Sequence, residues 1–472
     1  MRFHHDSLFI LNFEKIMKKT FLVLILVITL FIAFGQSPVS ADWKQNFKTS
    51  LNSVNKAIAV EIDRHGNAFV TGLTWIPDSS KDIVLIKYAP DGKELWRRIY
   101  DDPQHGDDIP YAMCIDKFDN IWITGMAKIT PTNTDFLVVK FSPEGIPEGR
   151  MFDGKDHLFD CGMTITTDDA GNAFAGGYIT SSDSGINMQL YKLNPNLELM
   201  WSVGYTSLNM DIATRLLVDD SSNVYVAGNL NVAAHSSDMF LMKFDPTGKM
   251  KWQFIYDGSM HENDAASFLA SDDSMNIYMA GFANHSNSRS DIATLKFNRN
   301  GVMLQENIYY GKISDNTVLS LSAYDHHVCI TGNAIDYNIN EVSTFYLVYD
   351  KGGKELYSMK NPVDVRFIRY FEAEGQPLVI GTMVTHPEST LIPYIASPDT
   401  LSEMKWEYVD STVFGVSHII KIRIRGNEVY FLGDDAGNAT GTITLMKYSI
   451  NIPKPERKRP EPLRKNKSIR SR

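Results

Sequence analysis

The sequence predicts an all-β chain: an eight-bladed β-propeller of four-stranded antiparallel blades, with an N-terminal strand completing the last blade. Three observations lead there. A marker glycine recurs at Gly72, Gly125, Gly177, Gly228, Gly281, Gly332, Gly381 and Gly433, about 50 residues apart, which is the period of propeller blades. Other residues keep phase with it through five copies: Asn67, Asn120, Asn172, Asn223 and Asn276 before it, and Lys87, Lys140, Lys192, Lys243 and Lys296 after it. Asp63, Asp116, Asp168, Asp219 and Asp272 keep phase too, as do Asp82, Asp135, Asp238 and Asp291, with Asn187 in the third copy. Finally, the eighth copy stops after Leu445-Met446-Lys447-Tyr448 with no fourth strand, while Asp42-Trp43-Lys44-Gln45-Asn46-Phe47 precedes the first copy with Trp43 where Trp96 stands in it.

The first copy shows why each piece folds as it does. Ala57–Asp63 alternates loosely, as a half-buried strand does. Arg64-His65-Gly66-Asn67 is a turn, since Gly and Asn tolerate positive φ. Ala68–Thr71 is a second strand, closed by Gly72, and Leu73–Lys81 a polar loop. Ile83–Tyr88 is a third, strongly apolar strand. Pro90-Asp91-Gly92-Lys93 turns the chain into a fourth strand, Leu95–Tyr100. One such sheet cannot bury both faces alone, so copies stack around an axis. Copies six to eight keep the pattern (HHVCITGNA, QPLVIGTMV, NEVYFLGDD) but lose most of the phased polar residues.

Outside residues 42–452 the composition changes. Residues 17–41 read as a signal peptide: Met17-Lys18-Lys19, the apolar run Phe21–Phe34, and Val39-Ser40-Ala41 as a small-x-small cleavage site. Residues 1–16 read as an upstream start extension. Residues 453–472 form a basic, proline-rich tail without apolar periodicity, expected to be disordered and able to touch an anionic envelope surface. A secreted, periplasmic or cell-envelope location follows. Hydrophobic content of 43% supports a large core, and a formal charge of -10 argues against nucleic acid. Cys114, Cys161 and Cys329 are an odd set; a Cys114–Cys161 bridge between adjacent blades competes with buried free thiols.

The motif D-x-x-G-N-x-Y-V-T-G, then D-x-x-L-x-K-(Y/F)-x-x-x-G-x-x-x-W, is best kept at 57–72, 112–125 and 213–228. It resembles the SBBP-type β-propeller repeat of exported bacterial proteins, over about residues 42–450. The resemblance implies an envelope or secreted propeller, adhesive or scaffolding, and no particular reaction. Asp245-Pro246-Thr247-Gly248-Lys249-Met250-Lys251-Trp252, and a shorter version at Asp91–Trp96, is similar to the tryptophan-docking motif of pyrroloquinoline-quinone propellers, in which a Trp docks between blades. Quinoproteins of that family carry a calcium site and a vicinal disulfide. No adjacent cysteines stand here, so no cofactor is expected, with calcium or the quinone as alternatives.

Candidate chemistry is sparse. Seventeen residues before the marker glycine stand Asp108, Asp160, Asp211, Asp264, Asp315 and Asp364. They could ring one mouth of the channel and bind a cation or cationic ligand, or cap backbone N–H groups at strand entries. The DDAGN, DDSSN and DDSMN stretches lack the spacing of a calcium loop and read as hairpin turns. His105, His157 and His261 fall in connections between blades, and His235, His285 and His386 in loops after second strands. No nucleophile elbow, phosphate loop or H-E-x-x-H is present. The expected function is a monomeric, non-catalytic binding or scaffolding module recognising a protein or glycan through its loop-rich face. The alternative is a hydrolase, lyase or degenerate quinoprotein with its site at the channel mouth.

Overall fold

The computed structural model describes residues 38–451, apart from 131, 155–157, 208–209, 234–235, 287–288, 311–314, 325, 337, 339–340, 362–364, 374–375, 386–389, 399–403, 411–415, 417 and 436–440. Signal and tail segments thus lie outside the described residues, save 38–41. Eight four-stranded antiparallel sheets form a ring, and no helix occurs among the described residues. Blade 1 is Val54–Ile62, Ala68–Trp75, Asp82–Tyr88 and Glu94–Tyr100, paired in chain order. The first strand of each blade lines the axis. In blades 2 to 8 these inner strands are Asp108–Ile115, Cys161–Thr167, Ile212–Val218, Ala265–Ser271, Asp315–Ala323, Val365–Ala373 and His418–Arg425. Ile83, Val84, Leu85 and Ile86 are buried on both faces because neighbouring blades cover both, whereas the outer strand keeps only alternate residues half-buried.

The ring closes as the sequence predicts. The eighth sheet runs Val39–Phe47, Ile443–Ile450, Glu428–Asp434, His418–Arg425, so its outer strand comes from the N-terminal side. Trp43 packs 6.2 Å from the Tyr430 ring, Thr444 Oγ1 donates to Asn46 Oδ1 at 3.0 Å, and Ser449 Oγ donates to Asp42 Oδ2 at 2.6 Å. Residues 41–449 make one compact unit; in the other, residues 1–40 with 450–472, Asn451 N donates to Pro38 O at 2.6 Å.

The phased residues are joints. Each turn Asp accepts from the Asn four residues on: Asn67 N and Nδ2 reach Asp63 at 2.8 and 2.7 Å, and the box recurs at Asp116, Asp168, Asp219 and Asp272. The acidic stretches read as turns therefore are turns. The phased lysines tie each blade to the next: Lys87 Nζ donates to Pro143 O (3.2 Å), Lys140 to Pro195 O (2.8 Å), Lys192 to Pro246 O (3.3 Å), Lys243 to Arg299 O (3.2 Å) and Lys296 to Lys351 O (2.9 Å). Lys447 of blade 8 does the same to Pro90 O of blade 1 at 3.2 Å, closing the series. The outer-strand tryptophans follow the same rule. Trp43, Trp201 and Trp252 donate through Nε1 to Pro90, Pro246 and Arg299 carbonyls of the next blade. Their rings lie on Gly92, Gly248 and Gly301, at φ of 85°, 85° and 81°, where a Cβ would collide with the indole.

One element differs from the expectation. Gly72 does not end its strand; the strand continues to Trp75, and the inner strand opposite starts earlier, at Val54. The glycine sits opposite a bulge between Ala57 and Ala59, where a Cβ would meet the Lys56 carbonyl oxygen. The same carbonyl approach recurs at Gly125, Gly177, Gly228, Gly281, Gly332 and Gly433. Close backbone approach, rather than a strand end, explains the marker. All three cysteines are free thiols.

Candidate functional site

Antiparallel meanders bring the connections between blades and the loops after second strands to one face. The phased carboxylates lie at the base of that face. Asp108, Asp160, Asp211 and Asp264 are buried, and each accepts from backbone. Asp102 N donates to Asp108 Oδ2 at 2.7 Å, Thr180 N to Asp160 Oδ1 at 2.6 Å, and Ser207 N and Oγ to Asp211. Asp264 takes Gly258 N and, at 2.9 Å, Asn284 N; half-buried Asp315 takes Ser290 N at 3.1 Å. The carboxylates anchor connections beneath the surface and bind adjoining loops together. Asp364 lies outside the described residues.

Two of these anchors sit in denser acidic groups at corresponding places. Carboxylate oxygens of Asp101, Asp102 and Asp108 lie within 4.8 Å of one another, and so do those of Asp238, Asp257 and Asp264. Burial, then the neighbouring acids, push Asp108 up to about 7 and Asp238 up to about 6. Asp108 Oδ1 and Asp238 Oδ1 have no hydrogen-bond partner in the described protein. A proton relieves such a group, near neutral pH at Asp108 and in mild acid at Asp238. His105 and His261 each stand on the outermost acid, Nδ1 lying 2.7 Å from Asp101 and 2.6 Å from Asp257, and these hydrogen bonds raise both imidazole pKa values. Both rings are exposed and point at solvent-side carboxylates, not at a shared pocket. His157, His235 and His386 lie outside the described residues, and His285 falls within the strand Ile277–Ser286.

Between blades 8 and 1 a cleft of about 330 Å³ opens, lined by Lys56, Trp75, His418, Ile420 and Asp434. Asp434 accepts from Ala57 N at 3.2 Å and faces His418 Nδ1 at 3.5 Å, with burial raising its pKa. Motif reading missed this cleft because both acid and imidazole come from the worn eighth copy. The same face carries exposed apolar side chains. Leu51, Phe159, Met210, Met260 and Tyr310 stand in five of the connections, at 90%, 55%, 44%, 40% and 55% exposure, and Ile76 stands in the loop after the second strand of blade 1.

No family model matches the chain, and no curated protein matches it. Among solved structures it is similar to the WD40 domain of SCAP from fission yeast, at 7% identity and a TM-score of 0.46 over 88% of this chain and 98% of that one. It is also similar to the polysaccharide lyase Uly1 (9% identity, TM-score 0.46, 84% and 90% covered). The β-propeller domain of the Trilobed protease from Pyrococcus furiosus gives 8% identity and a TM-score of 0.41 over 73% and 94%. A lyase and a domain of a protease both occur among these structures. The blade count rests on the strand pairings, not on these distant likenesses.

Proposed function

We propose that the chain is an exported bacterial propeller, of the SBBP-repeat type, whose loop face binds a protein partner without chemistry. The observation that supports this reading is the row of exposed apolar side chains on five connections, Leu51, Phe159, Met210, Met260 and Tyr310. Apolar side chains raised on otherwise polar loops make the anchors of a protein interface. The carboxylates beneath them are engaged with backbone N–H groups, which suits a rigid platform for loops. Leu and Met side chains favour a protein over a polysaccharide, whose sugars stack on aromatic faces.

The test immobilises the mature chain, residues 42–472, and exposes it to envelope extract. A partner is expected to be retained and to be lost when Phe159, Met210 and Met260 are all changed to Ser. Retention of a polysaccharide, or capture unchanged by the triple substitution, would contradict the reading. N-terminal sequencing of the protein recovered from the envelope fraction checks export and cleavage before Asp42.

A further inference from the structure

We propose that the central channel holds an anion site, built by Arg215, Arg369 and Lys421 with Arg423 beside them, which takes a multivalent oxyanion such as sulfate, phosphate or a polycarboxylate.

Register places the three cations at one level. Every inner strand bulges just after its pairing with the marker glycine. The residue that resumes pairing is Arg215 in blade 4, opposite Ala227; Arg369 in blade 7, opposite Ile380; and Lys421 in blade 8, opposite Leu432. In blades 7 and 8 the next residue along the strand, Tyr370 and Ile422, points between blades and is buried. Arg215 and Arg369 are half-buried and Lys421 is exposed, as residues facing an open channel are. Blades 4 and 8 are opposite in a ring of eight. Even so, the Lys421 ammonium feels Arg423, Arg215 and Arg369, all lowering its pKa, against Glu61 alone raising it; burial is the largest cause, and the value falls to about 8. Geometry agrees for the adjacent pair: Arg369 Nη1 reaches across to blade 8, to the carbonyl of Ile422 beside Lys421, while Arg215 stands at the same level on the opposite blade.

The partners are unequal. Arg423 is engaged: Nε donates to Val60 O at 3.1 Å and Nη2 pairs with Glu61. Among the described residues, Arg369 Nη1 reaches only the Ile422 carbonyl, at 3.2 Å. Arg215 Nη1 reaches its neighbouring carbonyl, Thr214 O, at 2.8 Å, and its guanidinium lies 5.0 Å over the Phe268 ring. Lys421 has no hydrogen-bond or ion-pair partner among the described residues. Three cations thus share one level of the channel, and the one carboxylate that acts on Lys421 and Arg369, Glu61, is already paired with Arg423, in a protein whose net charge is -10. Like charges brought to one level repel, and a bound anion adds an attraction to each of them that offsets the repulsion. Among the described residues each guanidinium uses one of its five N–H donors, leaving others for the anion's oxygens.

The site is independent of any loop-face ligand, and its test needs none. The mature chain is titrated with sulfate, phosphate and citrate by calorimetry and thermal melting, against sodium chloride at matched ionic strength. At least one oxyanion is expected to bind with one-to-one stoichiometry and to raise Tm. Lys421→Gln and Arg369→Gln are each expected to weaken that binding by about tenfold or more, with Lys421→Arg retaining it. Without oxyanion, Lys421→Gln is expected to melt above the wild type, because repulsion is removed; this also verifies that it folds. Citrate as the tightest ligand would assign a carboxylate ligand, and sulfate or phosphate a sulfo or phospho group. The proposal is overturned if no oxyanion exceeds chloride, or if both Gln variants bind as the wild type does.

Discussion

At the residue scale, the buried acids give the protein a pH signature. Asp108 and Asp238 have folded pKa values raised to about 7 and about 6. A raised folded value means the native state holds its proton longer than the unfolded chain does. The stability from this is complete below the unfolded carboxylate range and disappears as pH climbs through about 6 to 7. The turn acids Asp168, Asp219 and Asp272 are shifted the other way: hydrogen bonds from Asn172, Asn223 and Asn276 outweigh burial, the largest single cause, which raises them. Their contribution exists above the unfolded range and is lost on acidification below it. Melting temperature should therefore peak in mild acid and fall toward pH 8. Asp108→Asn keeps an acceptor for Asp102 N and removes the charge. It should flatten the decline between pH 5 and 8, which melting curves of the two proteins across about that range would reveal. An identical decline in the variant would show that Asp108 stays ionised and is accommodated another way.

Elements show where the sequence was readable. Turns were legible because their chemistry is local: an Asp that accepts from an Asn four residues on needs nothing from the rest of the chain, so Asp63–Asn67 announces itself. The marker glycine was legible as a marker but not as a position. Glycine commonly ends strands, whereas Gly72 is required by a carbonyl on the neighbouring strand, a contact no local pattern displays. Gly228→Ala tests this. Its Cβ would stand against the Ile212 carbonyl and 2.9 Å from the Phe240 ring, so the bulge must move, at a cost of about 3 kcal/mol in denaturant unfolding. A loss below about 1 kcal/mol would show that the inner strand yields freely. The docking tryptophans make a second test. Trp252 sits on Gly301 and lies edge-on to Tyr225 at 6.0 Å, but it is half-buried. Trp252→Ala should cost about 2 kcal/mol, less than the ~3–5 of a fully enclosed aromatic. The channel cations were not legible at all. Arg215, Arg369 and Lys421 share a position only through the strand register, and the blades carrying two of them have lost most of the phased residues that align the other copies.

At the scale of the whole molecule, closure governs how stability is distributed. In an open stack each blade would contact its neighbours alone, and unfolding could begin at either end. Here the strand Val39–Phe47 forms the outer edge of blade 8, and its Trp43 donates to Pro90 of blade 1 at 2.9 Å while Lys447 reaches the same carbonyl at 3.2 Å. The joint thus uses the same tryptophan and lysine contacts as the junctions between blades 3 and 4 and between blades 4 and 5, and the chain likewise runs on from Phe47 to Val54; what lacks covalent continuity is blade 8 itself, between Val39–Phe47 and Ile443–Ile450. Removing residues 42–47 should leave blade 8 with three strands, bare the edge of Ile443–Ile450, and strip the cover from Tyr430 and Tyr88. Two consequences are expected. The single cooperative melt expected of residues 42–472 should broaden or split, with the early phase belonging to blades 8 and 1. The exposed edge should also recruit other chains, since an unpaired strand is a template for pairing. Differential scanning calorimetry and size-exclusion chromatography of the shortened chain measure both effects. Trp43→Ala keeps the strand and removes only the dock, so it should lower Tm without splitting the transition or causing association. If the shortened chain melts in one sharp step at the wild-type temperature, the ring is held by blade-to-blade packing, and the closing strand contributes little to it.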